Sequence, residues 1–261
     1  MKQILAIALM LAFVSARAQD QFPDFEKKTF IRNGDTLLYR ILYPLNYHKG
    51  KKYPVILFLH GSGERGNDNT AQLVHGGKLF ADSAVRQKYP AIVIFPQCPS
   101  GTSWVGYKSK QDSTGKRMIA LEDGTPIQRS LELTKLLMDS ISGSNRVDKH
   151  RLYIGGLSMG GFGTFDMLQR FPSYFAAAFP ICGGGRPEDA TKYAKQLPLW
   201  IFHGGADDVV NPDWSRNMVA ALKQAGADIK YTEYPGVKHN SWDNAFAEPG
   251  LLPWLMSQSR K

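Results

Sequence analysis

The sequence is poor in cysteine: Cys98 and Cys182 are the only two in 261 residues. Two thiols cannot supply a disulfide framework, so the fold must rest on a hydrophobic core. No apolar run reaches the 18 residues that suggest a spanning helix. The N-terminal run, Ile4 to Val14, stops at eleven. H-E-x-x-H, metal-spaced Cys or His clusters and the G-x-x-x-x-G-K phosphate loop are all missing, and Gly155, Gly160 and Gly163 do not form a dinucleotide fingerprint. No metal or cofactor is expected. A basic block interleaved with aromatics is also missing, which argues against a nucleic-acid partner. There is no internal repeat and no low-complexity linker.

The remaining composition, 43% hydrophobic and 21% charged, is that of a folded globular chain. Met1 and Lys2 give a basic start, the Ile4–Val14 run follows, and Ser15-Ala16-Arg17-Ala18 supplies an A-x-A cleavage pattern before Gln19. This pattern predicts a signal peptide over residues 1–18 and a mature chain, 19–261, found in the periplasm or outside the cell. No cysteine follows the apolar run, so no lipid attachment point or stable membrane anchor is expected. Loss of Lys2 and Arg17 lowers the formal charge from +9 to +7. A surplus of that size suits acidic glycans or phosphate, or simply a solvated surface.

From Lys52 onward, strand-like and helix-like segments alternate. Continuous apolar runs at 53–59, 91–95, 151–154, 174–181 and 198–202, with a mixed run at 229–234, end in Gly or Pro turns. Runs that are apolar on both faces belong to parallel strands covered by helices. Leu131 to Ile141 carries leucines near the 3.6 period. Asn211-Pro212-Asp213 reads as an N-cap with Pro at the first helical position, opening a helix that stops near Gly226. The expected fold is α/β: one doubly wound, mostly parallel sheet with helices on both faces. Residues 36–43 supply an antiparallel edge hairpin. Residues 98–128 read as a long, polar, irregular segment, and loops of that length are usually functional.

Gly156-Leu157-Ser158-Met159-Gly160 lies between a predicted strand and a predicted helix. That is the context of a nucleophile elbow, where a strained turn lifts a serine hydroxyl above the sheet. Serine needs a base to take its proton. Of His48, His60, His75, His150, His203 and His239, only the last two follow Ser158. The chain order Ser, acid, His of such sites selects His239. The acid must project from a strand end between them. Asp207 and Asp208 both qualify, and the turn after Phe202 brings Asp207 to the sheet edge first, with Val209 and Val210 returning to the core.

The chain resembles the α/β-hydrolase superfamily, and within it secreted bacterial esterases of the feruloyl-esterase and polyhydroxybutyrate-depolymerase type, with the related group called predicted peptidases. The residues that carry this are 59–66 (Leu59-His60-Gly61-Ser62-Gly63-Glu64-Arg65-Gly66), 96–99, Gly156 to Gly161, His203-Gly204-Gly205-Ala206-Asp207 and His239-Asn240-Ser241-Trp242. The resemblance implies the α/β-hydrolase fold, an acid four residues after His203, which is Asp207, and an oxyanion hole formed by the backbone N–H groups of Ser62 and Met159. It implies hydrolysis of a small ester or an acylated glycan through an acyl-enzyme. A peptidase with the same machinery and an idle, binding-only fold are the alternatives, and a fluorophosphonate probe separates enzyme from binder. Trp104, Tyr107 and Trp242 are candidates to stack on a substrate ring. Glu64 and Arg65 either touch substrate or brace their loop as a local ion pair. In the strand order that the resemblance implies, Cys98 and Cys182 end strands with two others between them, about 14 Å apart at 4.8 Å per strand, so they are expected as buried free thiols.

Overall fold

The computed structural model describes residues 20–111 and 117–260; the predicted signal peptide, 1–18, lies outside them. Among the described residues, ten strands form two sheets. β1 (Glu26–Arg32), β2 (Asp35–Leu42), β3 (Tyr53–Leu59), β4 (Ile92–Pro96), β7 (Val147–Leu157), β8 (Ala177–Ile181), β9 (Leu199–Gly204) and β10 (Ile229–Tyr234) make the large one. Its order is β1-β2-β4-β3-β7-β8-β9-β10. β1 with β2 and β2 with β4 pair antiparallel, and the other neighbours run parallel. β5 (Lys108–Gln111) and β6 (Arg117–Ala120) form a separate antiparallel ribbon.

The helices are α1 (Gly77–Ala81), α2 (Ser83–Lys88), α3 (Arg129–Ser142), α4 (Met159–Arg170), α5 (Ala190–Tyr193), α6 (Asp213–Gln224), α7 (Trp242–Ala247) and α8 (Leu251–Ser257). The period-2 geometry of β3 shows why they occupy both faces. Val55, Leu57 and Leu59 join a core with Leu137 of α3, Leu168 of α4, Tyr193 of α5 and Leu222 of α6. Ile56 and Phe58 face the other way, into a core with Phe80 of α1, Ala245 of α7 and Leu252 of α8. The doubly wound fold expected from the apolar runs is the fold found. Among the described residues no helix is long and apolar enough to cross a membrane.

Several expectations need correction. The edge hairpin has its second strand in the charged segment Glu26–Arg32, and Asn33-Gly34, both at positive φ (53° and 83°), makes its turn. Two consecutive left-handed residues are what a tight hairpin turn requires, and Asn-Gly is the pair that adopts them most readily. Residues 98–128 are not wholly irregular, because β5 and β6 lie within them, with Lys108 opposite Ala120. The sequence of β5 shows no apolar alternation to mark it as a strand. Val210 is buried as expected, but Val209 is 67% exposed. α6 begins at Asp213 with Pro212 as its N-cap, one residue later than expected, and Asn211 Oδ1 accepts from the Asp213 N–H at 2.9 Å ahead of the helix.

Candidate active site

Three strand ends on the carboxyl edge of the sheet bring the site together. β7 ends at Leu157 and α4 begins at Met159, so Ser158 alone makes the turn, at φ 53° and ψ −119°. A positive φ on a residue with a Cβ costs of order 1–3 kcal/mol and persists only where the surroundings fix it. Those surroundings are close-packed backbone. A Cβ on Gly156 would overlap the Gly160 carbonyl, and one on Gly160 would overlap the Leu59 carbonyl. The Ser158 N–H donates to Ile181 O at 2.9 Å.

The β9 end carries the acid. The N–H groups of Val209 and Val210 each donate to Asp207 Oδ1 at 2.9 Å. The loop is tied to the one after β10 by Ala206 N–H to Val237 O, 2.9 Å. His239 follows in that second loop. Its Nδ1 lies 2.7 Å from Asp207 Oδ2 and its Nε2 3.0 Å from Ser158 Oγ. An ionised carboxylate only accepts, so Nδ1 carries the proton and Nε2 is left to accept from the serine hydroxyl. Burial alone would raise the Asp207 carboxyl, but hydrogen bonds from His203, His239 and the Val210 and Val209 N–H groups more than offset it and hold it well below its usual range. The structure therefore brings Ser158, His239 and Asp207 together. Asp208 is exposed and bonds Lys238 at 3.0 Å.

Ser62 begins a short 3₁₀ turn, Ser62–Glu64, directly after β3, and Met159 begins α4. The first N–H groups of helical turns have no intrahelical acceptor. The two segments adjoin: a Cβ on Gly61 would sit 3.6 Å from Ser158 Cβ. The expected Glu64–Arg65 ion pair is not how this loop is braced. Arg65 bonds the carbonyls of Ser62 (2.9 Å) and Thr102 (3.0 Å), while Glu64 lies 3.6 Å from His75. Trp104 is corrected too. It is fully buried, and its Nε1–H donates to His60 O at 2.9 Å, so it anchors the loop and cannot stack on a ligand. Tyr107 is exposed, beyond Trp104 in the same segment. Trp242 stands where expected, its ring 5.3 Å from that of His239 and 4.7 Å from that of His75. His75 was set aside in the sequence because it precedes Ser158, and no local pattern marks it as a wall of the site.

Cys98 and Cys182 are free and buried, as expected, and burial raises both thiols. Sγ of Cys182 joins ligand atoms of Asp207 and His239 within a 4.8 Å set. A buried thiol kept protonated is a poor ligand, and the facing atoms of the other two already bond one another. A cavity of about 370 Å³ lies beside α4. It is lined by Phe162, Phe165 and Tyr193, with Asp123, Asp189 and Arg186 at its polar side. Phe162, four residues after the serine, is among its lining residues, whereas Ser158, Asp207 and His239 are not.

A family model described as phospholipase/carboxylesterase, an α/β-hydrolase family, matches residues 46–248, and the chain belongs to that family. A solved thermostable esterase superposes with a TM-score of 0.82 at 33% identity, over 92% of this chain and 64% of its own. An uncharacterized secreted protein of Arthroderma benhamiae is 25% identical over 84% of this chain. A bifunctional acetylxylan esterase/xylanase of Neocallimastix patriciarum is 25% identical over 60% of it. The chain spans only 25% and 20% of the length of those two fungal proteins.

Proposed function

We propose that the chain is an exported serine hydrolase that cleaves carboxylic esters, with Ser158 as nucleophile, His239 as base and then acid, and Asp207 as the carboxylate that orients His239. The observation that carries this reading is the unbroken pair of hydrogen bonds, Asp207 Oδ2 to His239 Nδ1 at 2.7 Å and His239 Nε2 to Ser158 Oγ at 3.0 Å, ending on a serine at φ 53°. His239 Nε2 takes the hydroxyl proton as Oγ attacks the ester carbonyl. The tetrahedral oxyanion is held by the N–H groups of Ser62 and Met159, donors already fixed in place before charge develops. Collapse breaks the bond to the alcohol oxygen, which leaves with the proton from His239. Water then gives a proton to Nε2 and attacks the acyl-serine, and the acid leaves as Oγ is reprotonated. Asp207 keeps the imidazole in the accepting tautomer and stabilises the imidazolium between steps.

The alcohol is read as a sugar, making the substrate an acylated glycan. Two things support this. The cavity beside α4 carries Asp123, Asp189 and Arg186 at its polar side, which suits a polyhydroxylated ring better than a lipid chain. The relative from Neocallimastix is named an acetylxylan esterase. Export rests on the N-terminal pattern of residues 1–18, and one relative is named a secreted protein. The test is two-part. A fluorophosphonate probe should label Ser158 in the wild type and nothing in Ser158→Ala. Then acetylated xylo-oligosaccharide, feruloyl, long-acyl and peptide substrates are compared by kcat/KM. Absence of labelling on folded protein defeats the serine-hydrolase reading. Preference for the long-acyl substrate defeats the glycan reading alone, and preference for the peptide defeats the ester reading with it.

A further inference from the structure

A closed circuit of contacts borders one side of the nucleophile. His239 Nε2 meets Ser158 Oγ at 3.0 Å, and the Trp242 ring lies 5.3 Å from the His239 ring. Trp242 in turn lies 4.7 Å from the His75 ring, and His75 Nε2 lies 3.6 Å from Glu64 Oε1. Glu64 leads back to the start. A Cβ on Gly61 would stand 3.0 Å from Glu64 Oε2 and 3.6 Å from Ser158 Cβ, so the carboxylate and the nucleophile border the same small space. No residue that lines the cavity beside α4 belongs to this circuit.

Glu64 is the member of the circuit left without hydrogen bonds. Its side chain is only 13% exposed. Its two carboxyl oxygens can accept several hydrogen bonds. Among the described residues nothing donates to them, because His75 at 3.6 Å is too distant and Gln97 bonds only the backbone carbonyl. The backbone beneath is held in place. Gln97 Nε2 donates to Glu64 O at 3.3 Å, and the Gly66 N–H donates to Cys98 O at 3.1 Å. The loop therefore does not carry the carboxylate out into water. A shielded acceptor without donors costs free energy, and a ligand that supplies donors recovers it.

The part of the substrate that lies here follows from the path of the proton. His239 gives its proton to the leaving oxygen, so the alcohol departs beside His239. Trp242, His75 and Glu64 are the side chains next along that wall. We propose that Glu64 determines specificity by accepting hydrogen bonds from hydroxyl groups on the alcohol part of the ester, with Trp242 as the apolar surface against the same ring. The sugar that carries the ester is thus recognised at Glu64, away from the cavity beside α4. This assignment rests on the proposed function, because it takes His239 as the group that protonates the alcohol. A quaternary ammonium also suits an aromatic ring beside a carboxylate. It has no hydrogen to donate, however, and would leave His75 Nε2 unused, whereas a ring bearing several hydroxyls engages both polar groups.

The experiment compares two acetyl esters, an acetylated xylo-oligosaccharide and 4-nitrophenyl acetate, on the wild type, Glu64→Gln and Glu64→Ala. The acyl group is shared, so the ratio of the two kcat/KM values reads the alcohol side. Glu64→Gln exchanges one accepting oxygen for an NH₂, and the ratio should fall by about tenfold; Glu64→Ala removes both oxygens and should lower it further. An unchanged ratio in folded Glu64→Gln overturns the proposal, and equal losses on both esters would make Glu64 a brace of its loop. Binding gives a readout without turnover. The acetylated xylo-oligosaccharide is titrated by calorimetry into Ser158→Ala, with and without Glu64→Gln. The added substitution should weaken Kd by about tenfold, and equal Kd values overturn the proposal. Faster wild-type turnover of acetylcholine than of the sugar ester, with that preference lost in Glu64→Gln, also overturns it in favour of a quaternary ammonium. If the wild type takes no fluorophosphonate label at Ser158, the hydrolase reading fails instead, and the calorimetry still decides whether Glu64 holds the sugar.

Discussion

Gly204, the last residue of β9, lies against the carbonyl oxygen of Lys238, the residue before His239, so closely that a Cβ at 204 would overlap it and the carbonyl of Val237. The strand that delivers Asp207 thus seats the loop that delivers His239. Gly204→Ala should push that loop outward and lengthen the contact between His239 and Ser158. Misplacement by about 1 Å can cost about 100-fold in rate. We expect kcat to fall by that order, with a matching drop in the rate of fluorophosphonate labelling. Wild-type turnover in Gly204→Ala would mean that the loop does not rely on this contact.

A second relationship concerns Trp104, whose indole holds the His60 carbonyl where β3 turns into the Ser62 loop. Trp104→Phe keeps most of the ring but leaves a buried carbonyl without its donor, at a cost of about 1–3 kcal/mol. Trp104→Ala removes the side chain altogether and should cost about 3–5 kcal/mol. Neither should change the ranking of substrates, because the ring is fully buried. Urea titrations and a substrate panel on both variants check this. A reordered panel would restore Trp104 to the substrate surface.

These two residues illustrate what the sequence discloses and what it withholds. The parallel strands were legible because burial on both faces demands uninterrupted apolar runs, and β3 falls on the residues read for it. The grouping of Ser158, Asp207 and His239 was legible because the elbow's glycines and the chain order constrain it before any coordinate is known. Trp104 was misread because an aromatic in a polar segment looks the same whether it faces solvent or plugs a strand end. β1 was missed because the edge of a sheet is charged and exposed, as Glu26-Lys27-Lys28 shows. His75 reaches the site only through tertiary contacts, which no spacing along the chain encodes.

The strained turn at Ser158 gives a prediction about stability. Ala at 158 keeps a Cβ and therefore keeps the cost of φ 53°, whereas Gly adopts that region freely. Ser158→Gly should be more stable than Ser158→Ala by about 1 kcal/mol, although both lack the hydroxyl and neither turns over. Thermal unfolding of the pair reads the difference. Equal stability would show that the turn carries no strain.

Acid sensitivity follows from His60. Burial, acting against the Gly61 hydrogen bond, lowers it from 6.5 to about 4. Between those values the unfolded chain binds a proton that the folded protein refuses, so stability falls as pH falls through this window. The loss is complete below about pH 4 and amounts to roughly 3 kcal/mol. Asp207, held low in the fold, acts in the same direction at still lower pH. His60→Gln lacks the titrating ring. The stability gap between wild type and this variant should therefore narrow by roughly that amount from pH 7 to pH 4. Urea unfolding across the range measures it, and a constant gap would remove His60 as the source.

The neighbouring carboxylates provide the sharpest separation. Asp207 Oδ1 already accepts from two backbone N–H groups, so Asn at 207 must keep its oxygen there and turn its NH₂ toward His239. A donor facing Nδ1 drives the imidazole proton to Nε2, the atom that has to receive the proton of Ser158. kcat should fall by up to about 10⁴. Asp208 bonds only the exposed Lys238 ammonium among the contacts described above, and its distance from the reacting atoms leaves a weak, solvent-screened field. Asp208→Asn should cost less than about tenfold in kcat. Both variants are checked for folding by circular dichroism before turnover is measured. If Asp208→Asn proved the more damaging of two folded proteins, the acid of the site would be Asp208, and the hydrogen bond between Asp207 and His239 would be structural alone.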